Sequence, residues 1–109
     1  MTIQNFAKQL EFKSLCMPSP EKEVEGVYIG DLLSWVMGKA ESGNVWITIM
    51  SNINIVAVST LVDVSCIILA ENVMPDEDAL NTAKAKGVNI FSTGLSAYDA
   101  AVKISGLIS

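Results

Sequence analysis

The chain has 109 residues, 12 acidic and 7 basic, and a formal net charge of −5. Half of it is hydrophobic, its basic residues are all lysine, and it holds neither histidine nor arginine. This composition excludes a disordered tail, a nucleic-acid backbone as main partner, and chemistry that runs through a histidine base or a histidine-bearing zinc site.

In chain order, residues 2–10 read as a short helix, with Thr2 as N-cap and Ile3, Phe6, Ala7 and Leu10 on one face. Residues 12–16 read as a strand. The stretch MPSPEKE, with Pro18 and Pro20, is a loop. Residues 24–29 form a strand that Gly30 breaks. Asp31 is placed to cap a helix over LLSWVMGKA, whose wide apolar face includes Leu32, Leu33, Trp35, Val36 and Met37. Residues 45–50 are the clearest strand, and Trp46 within it needs a partner for its indole N–H. Residues 52–63 are ambiguous: β-branched side chains favour a strand, while their length and the strands on both sides favour a buried crossover helix.

Residues 66–70 fit a buried strand. Met74 to Asp78 opens a helix, with Pro75 in its first turn and Asp76, Glu77 and Asp78 at the positive end of its dipole. Gly87 ends that helix. Residues 88–91 form another strand. Ser96 and Asp99 then start a last helix that runs to about residue 107, with Leu95 positioned to staple onto Ala100. Alternation of strands and helices after residue 44 predicts one α/β domain: three layers, with a mainly parallel sheet and helices on both faces.

Two cysteines, Cys16 and Cys66, are fifty positions apart, which fits neither a metal motif nor a redox pair. Reduced thiols in the cytoplasm are the simplest reading. The N-terminus shows no basic region followed by an apolar run, so no signal peptide is expected. Asn52, Asn54, Ser59, Thr60 and Asp63 interrupt the apolar stretches, leaving none near the ~18 residues of a membrane helix.

The glycines form no GxGxxG or GxxxxGK[ST] fingerprint. The acids at 76–78 serve the helix dipole better than a calcium loop, which requires alternating ligands and a glycine turn. No catalytic set, metal site or cofactor motif is found. What remains is a group of polar strand ends: Ser51 and Asn52 after residues 45–50, Glu71 and Asn72 after 66–70, and Ser92, Thr93 and Gly94 after 88–91. In an open parallel sheet such ends gather at the carboxyl edge, where ligands bind. They can equally be ordinary caps and turns.

Val24, Gly26, Tyr28, Asp31 to Ser34, Val36 and Met37 together resemble the DRTGG domain, as do VWIT at 45–48, NIVAV at 54–58, PDE at 75–77 and STGLSAYDA at 92–100. The resemblance covers about residues 21–104 and is nearest to free-standing DRTGG proteins of anaerobic bacteria. The naming motif itself is altered. Glu21 and Lys22 stand where the family has Asp-Arg, and Glu25, Gly26 and Val27 stand where it has Thr-Gly-Gly. Lysine in place of arginine removes a planar fork for phosphate or carboxylate. The resemblance implies a fold similar to the N-terminal domain of HPr kinase/phosphorylase, a helix over about 52–62, and a regulatory, non-catalytic role beside CBS domains.

The expected protein is therefore a cytoplasmic regulatory or interaction module acting as a homodimer. The alternatives are a sensor of a nucleotide-like small molecule and, last, an enzyme using carboxylates alone. The expected ligand site for a polar or anionic small molecule comprises Gly26, Ser51, Asn52, Ser92, Thr93 and Gly94. Trp35 is expected at the dimer interface, because it and Met37 cannot both turn inward with Leu32 and Leu33. Nucleic acid and membrane are not expected partners.

Overall fold

The computed structural model describes residues 1–108. Its elements run α1 (Ile3–Leu10), β1 (Lys13–Cys16), β2 (Val27–Ile29), α2 (Leu33–Lys39), β3 (Val45–Thr48), α3 (Asn54–Val62), β4 (Cys66–Leu69), α4 (Glu77–Lys86), β5 (Ile90–Ser92) and α5 (Ala97–Ile108). The sheet order is β1-β5-β4-β3-β2. β2 to β5 are parallel, and β1 runs antiparallel to β5.

Period-two alternation divides the strand side chains between two cores. Val45, Ile47, Cys66, Ile68 and Phe91 face α1 and α5, where they meet Ile3, Phe6, Leu10, Ala100 and Ile104. Phe6 sets its ring edge-on to Phe91 at 6.4 Å. Trp46, Ile67, Leu69 and Ile90 face the opposite layer of α2, α3 and α4, where they meet Val36, Ile55, Val56, Val58, Ala79 and Ala83. The three-layer α/β architecture expected from the alternating elements is the one that forms.

Several local expectations need correction. Asp31 does not cap α2, whose N-cap is Leu32 with no side-chain bond. Its carboxylate instead accepts hydrogen bonds from the Thr48 hydroxyl (2.8 Å) and the Ile49 N–H (3.0 Å). Thr48 Oγ1 also accepts from the Met50 N–H at 3.2 Å. These side-chain bonds take over the main-chain donors past Thr48, so β3 stops two residues earlier than its composition suggests. Pro75 lies outside α4, one residue before the N-cap Asp76. The strand expected at 88–91 is displaced to Ile90–Ser92, because the Val88 N–H returns to the Ala83 carbonyl to finish α4.

The ambiguous stretch is a helix. α3 buries Ile55, Val56, Val58 and Ser59 and ends at Asp63 in the left-handed region, φ 65°. Two neighbouring parallel strands require such a crossover, which overrides the β-branched composition. The Trp46 indole N–H finds the Gly30 carbonyl at 2.9 Å.

Candidate functional site

Parallel β3, β4 and β5 deliver their carboxyl ends to one edge of the sheet. β1 is antiparallel, so its beginning arrives at the same edge, with Lys13 opposite Ser92. A hollow of about 240 Å³ opens there, lined by Glu11, Phe12, Lys13, Asn72, Ser92, Thr93 and Gly94.

Its walls are fixed by main-chain bonds. Residues 70–73 make a tight turn in which Glu71 (φ 60°) and Asn72 (φ 61°) are both left-handed and the Val73 N–H donates to the Ala70 carbonyl at 3.1 Å. That geometry frees the Glu71 and Asn72 N–H groups, which donate to the Leu95 and Thr93 carbonyls, both at 2.9 Å. The loops after β4 and β5 are thereby joined. Thr93 Oγ1 accepts from the Leu95 N–H at 3.2 Å, a side-chain turn that shapes the approach to α5. Ser96 Oγ then accepts from the Asp99 N–H at 3.1 Å at the start of α5. Gly94 lets the Asn72 amide lie against it; an added Cβ there would stand 3.1 Å from Asn72 Oδ1. The hollow thus combines one ammonium, one carboxylate, an amide and two hydroxyls with the aromatic ring of Phe12.

The expected site residues fall into three places. Ser92, Thr93 and Gly94 line the hollow. Ser51 and Asn52 lie at the same edge beyond β3 but do not line it. The Ser51 carbonyl accepts from the Asp76 N–H at 2.9 Å, and Asn52 Oδ1 accepts from the Asn54 N–H at 2.9 Å. Gly26 precedes β2 and so lies at the amino edge, the far end of the sheet, where it does not cover the polar tips. The parallel rule that groups residues 92–94 with the other strand ends also assigns Gly26 to the opposite end. Trp35 on α2 is 58% exposed, with the Lys39 ammonium 4.3 Å from its ring centroid.

Sequence reasoning missed Lys13, Glu11 and Phe12. Only the antiparallel pairing of β1 with β5, a contact between distant parts of the chain, brings them to this edge.

The segment from Ser19 to Glu25, which includes part of the altered signature, forms a strap across the amino edge. Ser19 exchanges hydrogen bonds with buried Asn89: its N–H donates to Oδ1 (2.9 Å) and its carbonyl accepts from Nδ2 (2.8 Å). Asn44 Nδ2 donates to the Glu25 carbonyl at 2.7 Å. Lys22 pairs with Asp63 at 2.7 Å. Burial pushes the thiols of Cys16 and Cys66 up from their ordinary value, so neither is poised as a nucleophile. Among the described residues, no group of histidine, cysteine, aspartate and glutamate could hold a metal ion. No helix among them is long and apolar enough to cross a membrane.

Comparison with known proteins yields no matching family model and no matching curated protein. A solved structure does match: the CBS and DRTGG domains of the regulatory region of Clostridium perfringens pyrophosphatase, complexed with its activator diadenosine tetraphosphate. The TM-score is 0.72 at 16% sequence identity, over 94% of this chain. The fold is DRTGG-like. The chain spans 45% of that regulatory region, so the DRTGG-like fold here is compared with one part of a larger assembly.

Proposed function

We propose that this chain is a non-catalytic regulatory module of DRTGG type, working in the cytoplasm as a homodimer, that senses a small polar ligand at the carboxyl edge of its sheet. The observation that carries the reading is the hollow in which Lys13, Asn72, Thr93 and Gly94 converge beside the start of α5. At about 240 Å³ it is smaller than the roughly 300–1,000 Å³ typical of pockets for drug-sized ligands. It therefore suits one anionic or strongly polar group. Lys13 supplies a point charge without a planar fork, and Glu11 offsets part of it, so selectivity would rest on the neutral donors around it.

A nucleotide is the second reading. The diadenosine tetraphosphate in the Clostridium perfringens structure supports it, and the hollow would take one phosphate with the rest of the ligand outside. The DRTGG-like fold of a regulatory region supports the absence of catalysis, as does a sequence without histidine or arginine.

The test is a thermal-shift panel of inorganic phosphate, AMP, ATP and diadenosine tetraphosphate, followed by titration of whatever stabilises the protein. Thr93→Val removes one hydroxyl and is expected to weaken that ligand about fivefold; Lys13→Met removes a charged partner and is expected to weaken it about tenfold. If both variants bind as tightly as the parent, the ligand does not use this edge. Reproducible turnover of any of the four compounds, lost in Asp31→Asn, would replace the reading with a carboxylate enzyme.

A further inference from the structure

An exposed sheet edge offers unpaired main-chain groups to any other strand unless something blocks it. The two edges of this sheet differ in that respect. β1 carries Lys13, a register shift between Ser14 and Cys16, and Pro18 just past its end. β2 has none of these devices; it is Val-Tyr-Ile, uncharged, with Ile29 47% exposed.

The hydrogen-bond pattern fixes which groups of β2 are open. The Val45 N–H donates to the Gly26 carbonyl (2.9 Å) and the Gly30 N–H donates to the Ile47 carbonyl (3.2 Å). By the period of two, Gly26, Tyr28 and Gly30 direct their main-chain groups at β3, while Val27 and Ile29 direct theirs outward. Among the described residues, nothing takes up the N–H and C=O of Val27 and Ile29. Beside this edge runs a groove of about 570 Å³ between β2 and α5, lined by Val27, Ile29, Ala101, Ser105 and Ile108, with no charged side chain among the described residues. Tyr98 and Val102, 74% and 53% exposed, share that side of α5 by helical spacing.

We propose that β2 pairs antiparallel with β2 of a second copy about a two-fold axis through Tyr28, joining the two sheets into one. This rests on the homodimer part of the function proposed above and supplies its surface. The register is self-selecting. Centring on Tyr28 is the one two-fold arrangement that sets all of β2 opposite its counterpart, with Val27 facing Ile29 of the second copy. The outward-facing residues then oppose each other, so each such pair exchanges two N–H···O=C bonds and every open group of β2 is used. The β-branched pairs lie on the α5 side, where they continue the apolar groove, and the two Tyr28 residues form a close non-hydrogen-bonded pair.

At each end of β2 the two-fold sets Glu25 opposite Asp31 of the second copy, a like-charge pair outside the strand that takes back part of the gain. The Asp31 carboxylate is bonded to Thr48 and Ile49, and the Glu25 side chain packs against Gly43. Among the described residues, neither β2 nor the lining of the groove carries a counter-charge for a charged peptide, whereas a second copy matches the edge residue for residue.

Light scattering after size exclusion, at tens of micromolar, should give twice the chain mass for the parent protein. Ile29→Lys places a charge on the edge and should raise the dimer dissociation constant at least about tenfold while leaving far-UV circular dichroism unchanged. Trp35→Ala should remain dimeric. A second probe does not depend on that variant folding. Tyr28→Cys, in a Cys16→Ser background, should oxidise readily to a covalent dimer, because a non-hydrogen-bonded pair holds its Cα atoms about 4.5 Å apart, within disulfide reach. A folded Ile29→Lys that stays dimeric, or a Tyr28→Cys that does not cross-link in a dimeric protein, overturns the edge pairing and leaves the homodimer standing. A monomeric parent overturns both and leaves the edge to a strand from another chain.

Discussion

Asp63 ends α3 in the left-handed region, and its carboxylate accepts from Lys22 Nζ at 2.7 Å and Ser42 Oγ at 3.1 Å. The Lys22 hydrogen bond is the main cause that holds this carboxyl below its ordinary value, with a smaller opposing effect of burial. The folded value lies below the unfolded one. The pair therefore stabilises the protein above the unfolded value and ceases to do so as pH falls through the folded one. The Asp63 side chain is 65% exposed, so solvent screening limits the effect to less than about 1 kcal/mol. Lys22→Met should lower stability at pH 7 by that order, and by less at pH 3, in urea titrations; an equal loss at both would show that the pair is not responsible. This residue also illustrates what a sequence conceals. Lys22 falls in the altered signature and invited a reading in terms of ligands, yet its partner is 41 positions away at the end of a helix. Asp31 is a similar case: it precedes a helix as a cap does, but its bonds go to Thr48 at the end of β3 and to Ile49 just past it.

Elements follow local pattern until a neighbour overrides it. From residue 45 onward the order of strands and helices was legible, because short β-branched runs alternate with segments bounded by Pro75, Gly87 and Ser96. Residues 54–62 could not be decided by composition, since the crossover between parallel β3 and β4 is a property of the sheet. Its first turn is secured by Asn52, whose Oδ1 accepts from the Asn54 N–H. Asn52→Ala should cost about 1 kcal/mol of unfolding free energy, as loss of one side-chain hydrogen bond does. It should leave the affinity of a ligand bound beside Thr93 unchanged, because Asn52 does not line that hollow. Weakened binding at unchanged stability would instead make Asn52 part of the site. Of the seven residues that line the candidate site, Asn72 and Ser92 to Gly94 were visible as strand ends. The other three, Glu11 to Lys13, depend on the direction of β1, and no local pattern encodes which strand an edge strand joins.

At the scale of the whole molecule, one sheet serves two cores. β3 and β4 each send alternate side chains to α1 and α5 on one face and to α2, α3 and α4 on the other. Neither core can be lost while the other keeps its sheet, so unfolding should be a single cooperative step. The two tryptophans make this measurable. Trp46 is fully buried in one of the cores, and Trp35 stands exposed on α2. In Trp35→Phe the remaining indole reports the core alone, and native emission should lie to the blue of the parent. Its urea curve should superimpose on that from far-UV circular dichroism; an earlier loss of the Trp46 signal would mean that the α2–α3–α4 layer melts separately. A homodimer adds a second signature. Unfolding of a dimer is coupled to its dissociation, so mass action raises the midpoint as protein concentration rises. That dependence should appear in Trp35→Phe, whose β2 edge is intact, and be absent from Ile29→Lys. A midpoint that does not move with concentration in Trp35→Phe would mean that the folded monomer is stable alone and that edge pairing adds nothing to its stability.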